Sequence, residues 1–450
     1  MKILVISASA DSAGIWYRFK KEGHRVMVYF TCPDIKDCME GVVDRVTLNE
    51  GLAQSPDFIW ADMVGNGKLC DQLKKAGFPI FGGSQFCDDI ELKREFGIET
   101  AKKCRIKVPE TQHFKTAEEA KSYVSKHGKP VCVKCDGNVS ASSSHVSKSA
   151  KEAIEYLEYL QESGQDKGAK FVVQDLVEGV EISNEIWMCN GRVIYPLNAT
   201  LEEKKLMEGN KGPNTGAMSS VVFPYLSSSP KLGQETVLKL VPMLEKMKFS
   251  GNIDINSICT PKGPEFLEFT ARAGYDALYA MAAMMDGSLA EFFNEVAHGT
   301  AKRVPINHSW GVAIRLIIPP APNEWPDMPE VSKKAYAAIA GQTVKIPDDP
   351  YIYPIEELGK DKKGRWVTKG IDGTVAEACA TGSDVGKAWE QAKKRWEQIK
   401  VPSAMGRFDG IDRVYKDLKE LKRFGYDVPT ISGEAGKLLN PLANLKASPV

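Results

Sequence analysis

Residues 202–218 read EEKKLMEGNKGPNTGAM, two acids and two lysines followed closely by a run of turn-forming residues. Glycine, proline, asparagine and threonine succeed one another from Gly212 to Gly216, which predicts a loop and neither a helix nor a strand. Glycines let backbone N–H groups face a bound anion, and Lys204, Lys205 and Lys211 would add positive charge to such a cradle. Composition alone favours a solvated surface loop. The elements before and after this segment change that interpretation.

The overall composition limits the class of protein. The 450 residues are too many for one small core and favour two or three domains. Basic and acidic residues number 59 each, and a neutral chain argues against broad nucleic-acid binding. No run approaches the roughly 18 apolar residues of a membrane span, and the N-terminus lacks a signal-peptide pattern. Ten cysteines scattered among apolar residues suit reduced thiols, so we expect a cytoplasmic protein with no nucleic-acid or membrane partner.

The first hundred residues alternate between two kinds of pattern. Apolar, β-branched runs that predict strands lie at 2–7, 25–30, 57–63 and 78–81, and helical patterns lie at 13–22 and 68–76. Such alternation is typical of a parallel, doubly wound, Rossmann-like sheet. The first turn, Ser7 to Gly14, lacks the GxGxxG pattern and is therefore a weak signal for dinucleotide binding. It could still hold a small anion at the N-terminus of the following helix.

The pattern of apolar and polar residues changes near residue 107 and predicts an α+β region with antiparallel strands. We predict a charged helical segment at 86–104, strands at 130–135, 171–176, 182–188, 192–196, 251–258 and 264–270, and helices at 150–163, 233–247 and 276–298. The expected domains are 1–104, 105–304 with a smaller lobe at about 107–190, 305–430 at the C-terminus, and a peripheral tail at 431–450.

Two acids lie among apolar residues on predicted strands. Asp254 occurs in GNIDIN and Glu268 in FLEFT. Paired antiparallel strands would bring them side by side, and two close carboxylates favour a hard divalent cation such as Mg²⁺ with substrate phosphates. The alternative, equally weighted, is a strand face on which the acids meet water or a lysine.

Two further segments have a nucleotide-binding interpretation. In FVVQDLVEGVE (171–181) an apolar strand runs into polar residues, where an extended backbone could meet an adenine edge and a carboxylate the ribose. An ordinary strand–turn–strand is the alternative. Lys134 ends an apolar strand before the small-residue loop NVSASSS (138–144), which suits a phosphate. A lysine that snorkels at a strand end is the other interpretation.

Four elements follow one another along the chain: the strand with Lys134 and its small-residue loop, the segment 171–181, the GPNTG segment, and the acids Asp254 and Glu268. This order resembles the ATP-grasp superfamily, and within it the phosphoribosylamine–glycine ligase family. That family carries a loop like DHKR…GPNTGGMG, and Glu202 to Lys205 fall where its DHKR would fall. Lys204 keeps the family's separation from Gly212. The resemblance implies a multidomain α/β and α+β ATP-grasp fold. A Rossmann-like pre-ATP-grasp domain would precede the two ATP-grasp lobes, and a C-terminal accessory domain would follow them.

The resemblance also implies cofactors, ATP and Mg²⁺ (or Mn²⁺), and roles for individual residues. ATP would be held through its phosphates by Lys134, Ser142 and Ser143, through adenine by Gln174 and the backbone of Asp175, Leu176 and Val177, and through ribose by Glu181. The metal ligands would be Asp254, Glu268 and Thr270. The catalytic set would be Lys204, Arg272, Asn214, Thr215 and Gly216.

The activity implied is an ATP-dependent carboxylate–amine ligase that forms an amide through an acyl phosphate. The partners would be small molecules, an amino acid such as glycine and an amine, with phosphoribosylamine as the leading candidate, as in purine biosynthesis. Two alternatives stay open: the same chemistry on another amine, such as a modified nucleotide or nucleoside, and nucleotide binding without ligase activity. The chain would be a monomer or a homodimer.

The sequence departs from the family pattern at several positions. Thr270 replaces the asparagine of the family's Glu-x-Asn, and residues 272–277 read RAGYDA where the family has RFGDPE. Ser142 to Ser144 replace a Gly-Lys-Gly, and a lysine expected near Ile98 is absent. The family's N-terminal GGREH turn, which serves phosphoribosylamine, is missing too. These departures suggest that ATP handling is partly rebuilt and that the amine has changed.

Overall fold

The computed structural model describes residues 1–136, 144–321 and 330–429. In these ranges, the helices are all too short or too polar to cross a membrane.

The N-terminal region is a five-stranded sheet in which every pair of neighbouring strands is parallel. Its strands are β1 (Lys2–Ser7), β2 (Arg25–Phe30), β3 (Asp44–Arg45), β4 (Phe58–Ala61) and β5 (Ile80–Phe81). Helices α1 (Ala13–Lys21), α2 (Leu48–Ala53) and α3 (Gly67–Lys75) and a 3-10 turn (Pro33–Ile35) connect them. The order β3-β2-β1-β4-β5 reverses direction between β1 and β4, so the predicted doubly wound sheet is confirmed.

The predicted helical segment at 86–104 forms two helices, α4 (Gln85–Leu92) and α5 (Arg94–Lys103). Lys93 separates them because its backbone is extended, with ψ of 90°. The Ser84 hydroxyl accepts the backbone N–H of Cys87 and fixes the start of α4.

A four-stranded antiparallel sheet follows, in the order β6-β9-β7-β8. Its strands are β6 (Thr111–Phe114), β7 (Val131–Asp136), β8 (Ser144–Ser147) and β9 (Lys170–Asp175), and helices α6 (Ala117–His127) and α7 (Ala150–Glu162) pack against it. Thr116 and Ser149 cap these helices through side-chain oxygens that accept backbone N–H groups. This small sheet with its two helices, which we call the small lobe, has a separate apolar core.

The largest sheet has eight antiparallel strands in the order β14-β13-β10-β11-β12-β15-β19-β16. They are β10 (Val180–Cys189), β11 (Arg192–Met207), β12 (Lys211–Pro224), β13 (Gly251–Thr260), β14 (Gly263–Thr270), β15 (Trp310–Ile317), β16 (Ile352–Pro354) and β19 (Thr374–Gly382). A separate hairpin pairs β17 (Leu358–Lys360) with β18 (Trp366–Thr368). The strands from the C-terminal third therefore extend the same sheet as β10 to β14.

Helices cover both faces of this sheet. Those after the small lobe are α8 (Lys231–Glu235), α9 (Val241–Lys246), α10 (Tyr275–Met284), α11 (Leu289–Ala297), α12 (Glu330–Ala337), α13 (Val385–Trp396) and α14 (Gly410–Arg423). One apolar cluster joins α10 and α11 to the N-terminal sheet, and a second packs α13 and α14 on the opposite face. In the first cluster the rings of Phe81 and Phe293 stack with centroids 4.2 Å apart. The N-terminal sheet and the large sheet thus share one core.

Two segments that were predicted to be single helices are each interrupted in the structure. Residues 233–247 form α8, a 3-10 turn (Val237–Leu240) and α9, because Thr236 leaves helical geometry at ψ −104° and Pro242 lacks an N–H. Residues 276–298 form α10 and α11, separated by extended Met285 and by Gly287 at φ +79°. Apolar periodicity continues across both breaks, so the sequence pattern did not show them.

The predicted loop at 202–218 was also wrong. β11 and β12 form a long hairpin whose register pairs Lys205 with Asn214 and Met207 with Lys211. The register shifts between Glu203 and Lys205 and again before Met207, and Gly212 has φ +78°. The two register shifts are irregularities of the β-bulge type, which accommodate unusual backbone angles within a strand. Turn-forming residues can therefore belong to β12.

One buried carboxylate organises a turn near the C-terminal strands. Glu357 follows β16 and accepts the backbone N–H groups of Lys369, Gly370, Ile371, Asp372 and Gly373 at 2.5–2.9 Å. Each of these is a charge-assisted hydrogen bond, which is stronger than a neutral one. Glu357 therefore fixes the conformation of residues 369–373.

We predict that Glu357→Gln lowers the free energy of unfolding by about 3 kcal/mol, since the amide has one acceptor oxygen and presents N–H donors to other donors. Denaturant unfolding followed by circular dichroism would measure the change. Glu118→Gln, on the exposed side of α6, is the matched control and should change stability little. Equal stability of the two variants would contradict the role assigned to Glu357.

Candidate active site

A cluster of opposite charges lies on one face of the large sheet. Lys204 on β11 places its Nζ 2.6 Å from Glu181 on β10, 3.6 Å from Glu268 on β14 and 3.9 Å from Glu202. Side chains two residues apart on a strand share a face, which is why Glu202 and Lys204 project together. One ammonium group thus joins carboxylates from three strands.

The charges in this cluster shift one another's titration. Burial alone would lower the pKa of Lys204, but Glu181, Glu268 and Glu202 together raise it above its usual value. Desolvation opposes ionisation of Glu268, yet Lys204, Lys134 and Arg94 lower its pKa. Burial raises the pKa of Glu202 to about 7, against the effect of Lys204. Lys204 is therefore a permanent cation, and Glu268 a carboxylate, at neutral pH.

The predicted acid pair is close to the cluster but not side by side. The register pairs Asp254 with Thr270 and Asn256 with Glu268, because the strands meet two residues out of step with the expected alignment. Asp254 is buried and accepts a 2.6 Å hydrogen bond from Ser183. Burial raises its pKa well above the usual value.

Asn256 lies between the two halves of the predicted metal site and was missed from the sequence. Its Nδ2 is 3.4 Å from Asp254 Oδ1 and 3.3 Å from Thr270 Oγ1. The signal was present in the segment GNIDIN, where Asn256 follows Asp254 with the two-residue period of a strand. Oxygen-bearing side chains from β13 and β14 therefore converge on one region.

Lys134 extends from β7 of the small lobe toward the same region. Its side chain is buried, and burial is the main reason that its pKa is lowered. The charges of Arg94, Glu268 and Lys204 also act on it. Charged groups of the small lobe and of the large sheet therefore lie close enough to affect one another's titration.

Arg94 is a second residue that sequence reasoning missed. It begins α5 and acts electrostatically on both Lys134 and Glu268. The sequence showed only a charged helical segment here, which gives no indication of the residue that turns inward. Position in the fold identifies it.

The predicted adenine-binding segment is extended at the end of β9 and partly hydrogen bonded. Buried Gln174 donates from Nε2 to Thr111 Oγ1 at 3.0 Å. The backbone N–H groups of Asp175 and Leu176 donate to carbonyls of Glu110 and Pro130. Val177 continues the segment toward β10, which begins one residue before Glu181.

The β11–β12 hairpin also holds Asn214, Thr215 and Gly216 of the predicted catalytic set. Thr215 donates from Oγ1 to the backbone carbonyl of Lys204 at 2.9 Å. Asn214 and Gly216 are exposed on β12. Thr215 thus links the GPNTG strand to the residue at the centre of the charge cluster.

Arg407, which was not predicted, holds this hairpin through contacts with Glu203, Lys205 and Asn210. Its buried guanidinium lies 2.8 Å from Glu203 and donates to the carbonyl of Lys205 at 3.0 Å and to Asn210 at 2.9 Å. Asp409 pairs with Arg407 at 2.6 Å and accepts the N–H of Gly209. No local pattern connects residue 407 with residue 204, so only the tertiary structure shows this contact.

Arg272 lies apart from the Lys204 ion pairs. Its Nε is 3.0 Å from Glu91 on α4, and its Nη1 is 3.9 Å from Asp11 in the first N-terminal turn. Ser142 and Ser143, predicted at the ATP phosphates, lie outside the described residues, as does the tail at 431–450. Arg272 therefore faces the N-terminal domain.

Comparison with known proteins agrees with this arrangement. Residues 93–276 match the family model for the phosphoribosylglycinamide synthetase ATP-grasp (A) domain. A phosphoribosylamine–glycine ligase of Caulobacter vibrioides is 25% identical over 392 residues, or 84% of this chain and 89% of that relative. One from Streptococcus suis is 28% identical over 291 residues, 61% and 67% of the two chains.

A solved structure shows the same fold. The phosphoribosylamine–glycine ligase of Thermotoga maritima is 20% identical and aligns with a TM-score of 0.71, covering 91% of this chain and all of that one. The predicted multidomain fold is confirmed. Residues 93–276 match an ATP-grasp domain, and the chain resembles the phosphoribosylamine–glycine ligases over most of its length, with a sequence that has diverged from theirs.

Proposed function

We propose that the chain is an ATP-dependent ligase that joins a carboxylate to an amine through an acyl phosphate, and that glycine is the carboxylate substrate. The observation that carries this proposal is Lys204. It lies among Glu181, Glu202 and Glu268 of the large sheet, and its charge acts on Lys134 of the small lobe. A fixed cation among these acids suits a reaction in which negative charge moves between phosphate and carboxylate oxygens.

ATP would lie in the cleft between the small lobe and the large sheet. Lys134 and Arg94 would face its phosphates, as would Ser142 and Ser143. Because the N–H groups of Asp175 and Leu176 are already hydrogen bonded, adenine would meet this segment through backbone carbonyls, Val177 and buried Gln174. Glu181 would bind the ribose and exchange part of its contact with Lys204 for it.

The residues near Asp254 fit Mg²⁺. Asp254 and Glu268 are carboxylates, and Asn256 and Thr270 add neutral oxygens, the donor type that Mg²⁺ prefers. Asp254 has a hydroxyl and an amide as its described hydrogen-bond partners, so a cation would relieve the burial of its charge. When bound, the ion would neutralise charge on the transferring phosphoryl group.

The protein's own groups would align the reactants and stabilise charge. A glycine carboxylate oxygen attacks the γ-phosphorus, the bond to ADP breaks, and an acyl phosphate forms. Lys204 would hold its oxygens, with Asn214, Thr215 and Gly216 beside it and Arg272 at the carboxylate. The amine then attacks the acyl carbon, the bond from carbon to the phosphate oxygen breaks, and inorganic phosphate leaves.

Phosphoribosylamine is the reference acceptor because the relatives carry that name. We further propose a cytoplasmic monomer or homodimer that acts on small molecules, with domains at 1–104, 105–304, 305–430 and a tail at 431–450. The direct test supplies Mg²⁺, ATP, glycine and an amine and measures products. ADP and phosphate are expected, and AMP with pyrophosphate would exclude the acyl-phosphate route.

We predict that Glu268→Gln lowers kcat at least about 100-fold, because loss of one carboxylate weakens the Mg²⁺ site. ADP release measured against Mg²⁺ concentration checks this, and excess Mg²⁺ should restore part of the rate. The control is Glu265→Gln, three residues earlier on β14, whose carboxylate pairs with Lys107 instead. Full activity of Glu268→Gln would refute the metal assignment.

We predict that Lys204→Met lowers kcat at least about 100-fold while ATP affinity changes less than about threefold, since Lys204 acts on the acyl phosphate. Calorimetry gives the affinity and ADP release gives the rate. Lys211→Met, on the exposed part of β12, is the matched control. A loss of ATP affinity as large as the loss of rate would move Lys204 to the nucleotide site.

A further inference from the structure

A second charged cluster lies where the N-terminal sheet meets the C-terminal strands. We call it the acidic cluster and define it by Asp11, Asp62, Glu356 and Asp372. Asp11 follows β1 and Asp62 follows β4, the two strands between which the order of the parallel sheet reverses. In open α/β sheets, ligands bind in the crevice at this switch point, beyond the carboxyl ends of the strands.

Contacts across the two regions bring Glu356 to this crevice. A Cβ on Gly14, at the start of α1, would lie 2.8 Å from Tyr353 Cβ and 3.1 Å from Ile355 Cγ2. Tyr279 bridges the same place, donating to the carbonyl of Asp11 at 2.7 Å and accepting the N–H of Gly14. Glu357 fixes the turn that carries Asp372. The chain around Glu356 therefore packs directly on the first N-terminal turn.

Glu356 is the acid of this cluster with the fewest partners. Its side chain is 1% exposed, and among the described residues neither carboxylate oxygen has a hydrogen-bond partner. Asp62 is also 1% exposed; its Oδ1 has no partner in the same part of the chain, while Oδ2 accepts from Ser12 at 2.6 Å. Burying an unpaired carboxylate is costly. A protein retains such groups where a ligand supplies the missing charge.

The two neighbouring arginines pair mainly with other acids. Arg272 is 3.0 Å from Glu91 and only 3.9 Å from Asp11. Arg315 pairs with Glu377 at 2.6 Å and with Asp276. Burial, followed by the charges of Asp372 and then Asp11, raises the pKa of Glu356 well above its usual value despite Arg315. Glu356 is therefore protonated at neutral pH, and a cation bound beside it would favour the ionised form.

The cluster suits an organic cation better than a metal ion. In the described ranges, no three acidic, histidine or cysteine side chains converge closely enough to hold a metal ion. An alkylammonium group carries three N–H donors and can bind beside a single carboxylate, so it does not need a converging set of ligands. Asp11 and Asp372 are 7% and 6% exposed, slightly more than Glu356 and Asp62. A phosphate there would meet carboxylates and be repelled.

The acidic cluster adjoins the Lys204 site. Asp276, which pairs with Arg315, also acts electrostatically on Asp11, and its charge raises the pKa of Glu202. An amine held in the crevice would therefore approach the acyl phosphate from the N-terminal side. Arg272 is 3.9 Å from Asp11 and 3.0 Å from Glu91, and the charge of Glu268 acts on Glu91.

We propose that the acidic cluster binds the amine acceptor, and that this acceptor is an alkyl diamine or polyamine without a phosphate. The inference rests on the proposed ligase function and specifies its substrate. One ammonium group would pair with Glu356, whose two oxygens have no hydrogen-bond partner among the described residues. The second nitrogen, after losing a proton to solvent, attacks the acyl carbon as phosphate leaves, and its second proton is released when the amide forms.

The test measures ADP release with Mg²⁺, ATP and glycine while the amine is varied. The probes are 1,4-diaminobutane, butylamine, and phosphoribosylamine generated from ribose 5-phosphate and ammonia. We expect kcat/KM for the diamine to exceed that for butylamine at least about tenfold. Only the diamine has a second ammonium group that can pair with the acidic cluster while the first nitrogen reacts. Phosphoribosylamine should give no more ADP than ammonia alone. Equal or better use of phosphoribosylamine would overturn the proposal.

Hydroxylamine separates failure of this inference from failure of the ligase function. It captures an activated glycine as a hydroxamate without needing the acidic cluster. Hydroxamate formed with no preference for the diamine would refute the acceptor and leave the ligase intact. If the parent protein forms no hydroxamate and releases no ADP with any amine, the ligase proposal fails and the inference fails with it.

Glu356→Gln is the decisive variant. It should raise KM for the diamine at least about tenfold, because an amide cannot pair with an ammonium group as a carboxylate does. It should leave hydroxamate formation within about twofold and keep or raise Tm, because it removes a buried carboxyl group that has no described partner. Asp372→Asn is the second variant, with the same expected split, and Glu118→Gln is the surface control. Equal loss of diamine and hydroxylamine reactions, together with a lower Tm, would show that Glu356 is only structural.

Discussion

The ion pairs of Lys204 are the constraint on which the rest of the site depends. One ammonium group on β11 holds Glu181 from β10 and Glu268 from β14, so the three strands must stay in a single register. A shift of one residue would turn every one of these side chains to the opposite face of the sheet. The three carboxyl groups can lie this close together because each of them interacts with the ammonium group of Lys204. The site and the sheet register therefore stabilise each other.

The hairpin that carries Lys204 is held at both ends. Thr215 bonds to the backbone of Lys204 from the neighbouring strand, and Arg407 holds Glu203 and the carbonyl of Lys205 from the C-terminal part of the chain. Hydrogen bonds between charged groups are strong when both partners are buried. A residue two hundred positions away thus positions the segment of the proposed reaction. The eight-stranded sheet, which includes strands from both parts, makes that contact possible.

The two charged regions differ in how their charges balance. Around Lys204, a cation offsets the carboxylates, and the arrangement suits reactions of phosphate groups. In the acidic cluster, Glu356 and Asp62 have buried oxygens without a hydrogen-bond partner in the described part of the chain. Groups that reduce the stability of the folded state in this way are retained at sites for ligands. Two adjacent sites of opposite character are what a ligase needs if its first substrate is anionic and its second cationic.

The sequence by itself determined the alternation of elements, the parallel N-terminal sheet, and the order of Lys134, the GPNTG segment and the acids, because period-two and period-3.6 patterns are local. It also predicted the ATP-grasp fold through the order of its motifs. Only the tertiary structure decided the register that sets Asp254 opposite Thr270, the strand conformation of residues 211–216, and the breaks in two helices. It also placed Arg94 and Arg407 at the site and brought Glu356 to the first N-terminal turn. These features depend on contacts between residues far apart in the chain, which no local pattern records.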